Sequence, residues 1–178
     1  KRVLVYGEVT NKTSLNNESP REFELWEFKD DSWKKLSTDG PDVHSTLSFN
    51  ESRNALIITS LEDDPVTVWE WTNEEWKRVS CTGNCPEKRS REAVAYHPGL
   101  KATYMFGGRD SEREYLNDFW KWDGSRWTPI ISAEVPDNRA SAHLVLVNNE
   151  LILYGGSLKG SLSNELWRWK DNVWKKLK

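Results

Sequence analysis

Two cysteines and three histidines are the residues of this 178-residue chain whose types could carry redox, metal or proton chemistry. Cys81 and Cys85 bracket Thr82-Gly83-Asn84, a turn-rich stretch in which a short loop disulfide is sterically allowed, with the reduced pair as the open alternative. Zinc is disfavoured, because it takes four ligands and no second Cys or His pair lies at suitable spacing. Of His44, His97 and His143, the second stands in a His-Pro-Gly turn and reads as a solvated turn residue rather than a ligand. Asn11, Asn17 and Asn50 begin Asn-x-Ser/Thr triplets, which matter only in a secretory setting. No acid, base and nucleophile converge by spacing, so the sequence points away from catalysis, and neither a cofactor nor a metal is expected.

Charge and hydropathy narrow the partners. Lysine and arginine number 25 against 28 aspartates and glutamates, and a net charge of -3 lacks the basic surface that nucleic acid demands. The longest apolar runs, such as 55–58 and 144–147, are far too short to span a bilayer, so no membrane insertion is expected. With 37% apolar and 30% charged residues the composition is that of a soluble chain. Arg2-Val3-Leu4-Val5-Tyr6-Gly7 already reads as a strand, without initiator Met or targeting segment, so the sequence reads as starting mid-protein.

The elements that position these residues follow from the tryptophans. All 11 fall on one template: an aromatic, a second aromatic two residues on, and a Trp seven residues after the first. The copies are Trp26, Phe28, Trp33; Trp69, Trp71, Trp76; Trp120, Trp122, Trp127; and Trp167, Trp169, Trp174, starting 43, 51 and 47 residues apart. That period belongs to arrays whose unit is a small sheet or a helix pair. Period two decides for the sheet: in Phe119-Trp120-Lys121-Trp122 the indoles share one face and Lys121 points away. The polar segments 29–32, 72–75, 123–126 and 170–173 fold each aromatic pair into a hairpin.

Ahead of each hairpin lies an apolar strand ending in small residues: Met105-Phe106-Gly107-Gly108, Leu153-Tyr154-Gly155-Gly156, Val5-Tyr6-Gly7-Glu8 and the degenerate Ile57-Ile58-Thr59-Ser60. One strand earlier come 93–96, 143–147 and 45–49, and Pro41, Pro86 and Pro136 mark the crossings between units. The units run about 1–40, 41–85, 86–135 and 136–178 within one domain, with fifteen strands, because the first unit lacks its opening strand. Three indoles cannot repay the ordering of some forty residues, so each unit must pack on its neighbours. Four-stranded sheets stacked at this period describe a β-propeller or a segment of one.

These residues resemble the kelch repeat: an Arg-Ser-like opening, an apolar strand closed by Gly-Gly, an aromatic strand, and a Trp after a short turn. The stretch 117–127, Asn-Asp-Phe-Trp-Lys-Trp-Asp-Gly-Ser-Arg-Trp, is most similar to kelch units of secreted or surface bacterial proteins. The resemblance spans the chain and is strongest where Gly107-Gly108 and Gly155-Gly156 stand. Kelch propellers usually close with about five to seven blades. Four units with one incomplete therefore leave three possibilities: a fragment of a larger propeller, two chains joining halves, or a small ring with a defective first blade. The open-array forms expose an apolar blade face that invites self-association.

The resemblance implies ligand binding at the mouth of the central channel. The openers map to Arg89 and Ser90, Arg139 and Ser141, and His44 and Ser45; the loops after the glycines offer Arg109, Asp110, Arg113, Ser157 and Lys159. Arginine forks suit carboxylates, so a protein or peptide partner, acidic in character, is expected at this face. In the alternative, Arg89 and Arg139 satisfy backbone carbonyls at blade junctions. The Trp-x-Trp pairs raise carbohydrate recognition, for which the second-position Trp71, Trp122 and Trp169 would have to be exposed. The resemblance also brings enzymes into view, and the chain departs from them. The copper radical oxidase set of two His, a Tyr and a Tyr-Cys pair cannot be assigned, and the Glu/Asp/His spacing of iron-binding kelch proteins does not occur. Sialate mutarotase-like glycan processing stays as the secreted-propeller alternative. The resemblance and the cysteine pair lean toward an extracellular or cell-surface location.

Overall fold

The computed structural model describes residues 2–9, 22–41, 46–60 and 66–178. Sheet 1 consists of β1 (Val3–Val9), β2 (Glu22–Lys29) and β3 (Ser32–Ser37). Sheet 2 is β4 (Leu47–Asn50), β5 (Ala55–Ser60), β6 (Thr67–Thr72) and β7 (Glu75–Val79). Sheet 3 is β8 (Ala93–His97), β9 (Ala102–Arg109), β10 (Tyr115–Trp122) and β11 (Trp127–Pro129). A two-stranded ribbon, β14 (Ser157–Leu158) with β15 (Ser161–Leu162), interrupts sheet 4, which is β12 (His143–Val147), β13 (Glu150–Tyr154), β16 (Leu166–Lys170) and β17 (Val173–Lys176). All ladders are antiparallel meanders, giving the expected all-β, kelch-type propeller segment with three strands in the first unit and four in each of the others. The ribbon β14–β15 has no counterpart in the period-two reading, being two residues a side. No helix among the described residues is long and apolar enough to cross a membrane.

The turns explain the constancy of the hairpins. Asp30-Asp31, Asn73-Glu74 and Asp171-Asn172 each hold two consecutive residues at φ between 50° and 64°. This is the two-residue turn whose twist matches the flanking strands, and Asn and Asp tolerate it best among residues with side chains. It brings the second and third template positions face to face, pairing Phe28 with Trp33, Trp71 with Trp76 and Trp169 with Trp174, and the four-residue turn 123–126 does the same for Trp122 and Trp127.

Each aromatic cluster presses on the sheet before it. Trp167, Trp169 and Trp174 of sheet 4 join Tyr104, Phe106 and Phe119 of sheet 3 in one core. Trp120, Trp122 and Trp127 of sheet 3 meet Ala55, Ile57 and Val68 of sheet 2. Trp71 and Trp76 of sheet 2 meet Leu4, Tyr6 and Leu25 of sheet 1. The stack thus has a direction. Its leading face, Val3, Val5, Trp26, Phe28 and Trp33, has no sheet in front of it among the described residues, and its trailing face shows Val145, Val147 and Tyr154 to solvent.

The double glycines let sheets 3 and 4 interlock at their inner ends. Gly107 and Gly108 adopt φ of 61° and 105°, and a Cβ on either would stand 2.6 Å from the Arg139 carbonyl oxygen or 2.8 Å from that of Ser90. Those carbonyls carry ladder bonds, Gly108 N–H to Arg139 O and Arg109 N–H to Ser90 O, so no side chain fits.

The burial gradient along the third template position gives a direct test. Trp174 is 0% exposed and Trp33 55%. Trp174→Ala should cost about 3–5 kcal/mol in urea unfolding, as for large core truncations, whereas Trp33→Ala should stay within about 1 kcal/mol. Equal losses would contradict the stacking direction.

Candidate functional site

At the inner end of the stack β4, β8 and β12 lie side by side, and their openings surround a concavity of about 470 Å³. Thr46, Arg91, Glu92, Ser141 and His143 line it, over a floor of Ala93, Val94, Ala142 and Leu144. Arg91 and Ser141 occupy matching positions three residues before Val94 and Leu144, which pair with Met105 and Leu153 in the same register. Both take the left-handed conformation, at φ 60° and 54°, which side-chain-bearing residues adopt only against a steric cost. The Ser141 N–H donates to the Arg91 carbonyl at 2.8 Å, which joins the two blades and leaves both side chains exposed.

Beneath this rim sits Glu92, 3% exposed. Its Oε1 accepts a hydrogen bond from the Thr59 hydroxyl at 2.6 Å, while Oε2 is enclosed without a hydrogen-bond partner among the described residues. Burial pushes this carboxyl above its usual value, against the lowering effect of the Thr59 bond. The Glu92 carbonyl in turn accepts from the Thr46 hydroxyl at 2.9 Å, so one residue ties the second blade to the third.

The arginine openers take the structural alternative. Arg89 is 3% exposed and Arg139 0%. Arg89 Nη1 donates to the Gly107 carbonyl at 3.1 Å, and its fork meets Asp118 at 2.5 and 2.8 Å. Arg139 Nη1 donates to the Gly155 carbonyl at 3.1 Å and its Nη2 to Glu165 at 2.6 Å. The same carboxylates accept the first indole N–H of their blades, Trp120 on Asp118 and Trp167 on Glu165. Each strut therefore runs from glycine carbonyl through arginine and carboxylate to indole, and both guanidinium groups point into the blade rather than to the channel mouth. Their spacing from Asp118 and Glu165 in the sequence hid this, since only the folded sheet brings the pairs together.

The rest of the expected rim is mixed in charge rather than basic. Arg109 stacks on Tyr115, its guanidinium carbon 4.2 Å from the ring centre, and donates to the same residue's hydroxyl. Ser90 pairs with Arg109 through the backbone. Asp110 caps its own loop by accepting from the Glu112 and Glu114 amides at 2.9 and 2.8 Å, and Ser157 pairs with Ala140 through the backbone. Lys159 approaches Glu114 at 3.7 Å. Arg91 and Arg113 stay exposed and enter no ion pair among the described residues. His44 and Ser45 lie outside the described residues, as do Asn11 and Asn17. Arg91, Glu92 and His143, absent from the sequence-based site, were legible only through the offset of two residues from the Arg-Ser openers.

Three further expectations change or resolve. His97 is a buried cap, not a solvated turn residue: it is 3% exposed, its Nδ1 accepts from the Leu100 amide and its Nε2 faces the Asn149 carbonyl at 3.2 Å. Trp71, Trp122 and Trp169 are all buried, so no second-position indole offers a face to a sugar. Cys81 and Cys85 form the disulfide, in the crossing from the second blade to the third. Asn50 is buried too, its side chain accepting from Ser52 and Arg53.

The struts make stability depend on pH. Arg139, then Lys176 and the Trp167 N–H, hold Glu165 down from 4.5 to about 2. A folded-state value below the unfolded one means the carboxylate stabilises the fold above the ordinary range and loses that contribution as pH falls from about 4.5 towards about 2. The thermal midpoint should drop through that window, and Glu165→Gln should lower it at neutral pH while flattening the acid limb. An unchanged acid limb in the variant would remove Glu165 from this role.

Comparison with known proteins agrees with the geometry. Residues 58–178 match the family described as the KLHDC2/KLHL20/DRC7 Kelch-repeats domain. Dynein regulatory complex subunit 7 of Chlamydomonas reinhardtii is 31% identical over 83 residues, covering 45% of this chain and 7% of that protein's length. With the glycine-closed strands, the directional indole stack and this match, the chain belongs to the kelch-repeat family.

Proposed function

We propose that the chain is a non-catalytic scaffold that binds a protein or peptide partner at the face formed by the inner-strand openings. The observation that carries the reading is the pair Arg91 and Ser141, held in matching left-handed conformations at the rim of a concavity with an apolar floor. Arg91 and Arg113 leave their guanidinium forks available, which favours carboxylate-bearing segments of the partner. Kelch domains generally bind proteins, and the relative above is by name a subunit of a regulatory complex, which fits an assembly role.

An array of acidic and neutral peptides probed with the labelled chain tests this face. Acidic peptides should bind in a salt-dependent manner, and Arg91→Ala with Arg113→Ala should weaken them at least about tenfold, the worth of one or two charge-assisted bonds. The thermal midpoint should not move, since neither side chain is paired among the described residues. Binding that ignores charge, or survives both changes, overturns the assignment.

Self-association is a second reading, favoured by the two open faces of the stack. The leading face of Trp26, Phe28 and Trp33 has the chemistry that covers a trailing face at every internal junction. Light scattering across concentrations should show a dimer that Trp33→Lys dissolves. A monomer at the highest concentration removes this reading.

A further inference from the structure

One cation of the blade pattern is missing from sheet 3. The third-strand residue paired with the first-position indole is Lys35 for Trp26, Arg78 for Trp69 and Lys176 for Trp167, whereas Trp120 is paired with Pro129. In blades 1 and 4 the lysine makes the same two contacts. Its ammonium binds the carboxylate two residues before the indole, Glu24 or Glu165, and stands over the indole ring, 5.2 Å from the centre in Trp26 and 5.9 Å in Trp167. Asp118 and Trp120 offer the same carboxylate and the same ring, and among the described residues no lysine reaches them.

Beside that carboxylate and ring lies a concavity of about 370 Å³, lined by Asn84, Glu87, Asn117, Asp118, Trp120 and Asn138. The Cys81–Cys85 bridge ties down the loop that carries Asn84. The Asp118 side chain is 36% exposed, against 19% for Glu165 and 10% for Glu24, so the carboxylate without a lysine is the one left open. Its Oδ2 accepts from Arg89 and from the Trp120 N–H, and its Oδ1 from Arg89 alone, which leaves Oδ1 room for one more donor.

The charge count gives the same result. Arg89 and Arg139 are equivalent down to the Nε donor, which meets the carbonyl two residues earlier, that of Glu87 or Asp137. Blade 4 sets Arg139 and Lys176 against Asp137 and Glu165. Blade 3 sets Arg89 alone against Glu87 and Asp118, and is one positive charge short.

We propose that this pocket of blade 3 binds a lysine side chain of a protein partner, its ammonium placed against Asp118 and the Trp120 ring as that of Lys176 is placed in blade 4. Glu87 supplies the second negative charge at the mouth. The side-chain amides of Asn84 and Asn117 make no hydrogen bond among the described residues and are there to take the main chain that carries the lysine, which favours a peptide over a free amine. The pocket shares no residue with the concavity at the inner-strand openings and selects the opposite charge, so it stands whether or not that face binds.

The probe is the peptide acetyl-Gly-Gly-Lys-Gly-Gly-amide, titrated into the full chain while the Trp120 indole N–H, in direct contact with Asp118, is followed by heteronuclear NMR. A saturable shift is expected, weakened at least about tenfold by Nε-acetylation of the peptide lysine and about threefold by Glu87→Gln in the chain. n-Butylammonium should bind more weakly than the peptide; equal affinity would overturn the assignment to a peptide lysine. Pro129→Lys should supply the ammonium from within the blade, so that the indole resonance takes its shifted position without peptide and the peptide no longer binds. Unchanged affinity in that variant would overturn the proposal. So would an indole resonance that does not move in the titration, or that moves equally with the acetylated peptide, results that need no variant of the chain to fold.

Discussion

Indole against sheet is the contact on which the rest of this molecule depends. At each junction a cluster of aromatic side chains from one blade fills the gap to the blade before it, and in the last two junctions those indoles are buried almost completely. The contact is one of volume and area rather than hydrogen bonding. Trp122, Trp127, Trp169 and Trp174 enclose their N–H groups without acceptors among the described residues, a cost that only large apolar burial offsets. The first-position indoles Trp120 and Trp167 differ, because each donates to a carboxylate and so couples the apolar gap to the polar strut on the inner side.

That coupling separates structure from function along each blade. Arg89 and Arg139 are consumed in holding the glycine turn, the carboxylate and the indole in one geometry. The residues two positions later, Arg91 and Ser141, inherit the rim because the strut fixes the backbone that presents them. Rigid strands supply the platform and the openings vary, a division in which side-chain identity at the rim can change without disturbing the core.

Much of the fold could be read from the chain because its signals are local. Template spacing, alternation in Trp120-Lys121-Trp122, the polar hairpin turns and Gly107-Gly108 each act over a few residues, and all correspond to the observed strands and turns. Alternation shows that Trp122 and Trp120 share a face but not which neighbour that face meets, so the stacking direction waited for the structure. The site was less legible for the same reason. Arg89 finds Asp118 only across two strands, and Glu92 finds Thr59 only across two blades, so neither pairing leaves a trace in residue spacing. His97 looked solvated because its turn is polar; Asn149 from the next blade covers it.

The front-to-back order of the sheets bears on how such a chain can change in length. Every internal junction joins the same two kinds of surface, so a duplicated unit inserted at any junction would meet on both sides the surfaces it already fits. Gain or loss of a whole unit would then preserve the chemistry of the contacts and alter only the length of the stack, whereas a shift of a few residues within a unit would put indoles on the wrong face. Unit number is the soft variable of this architecture and strand register the hard one.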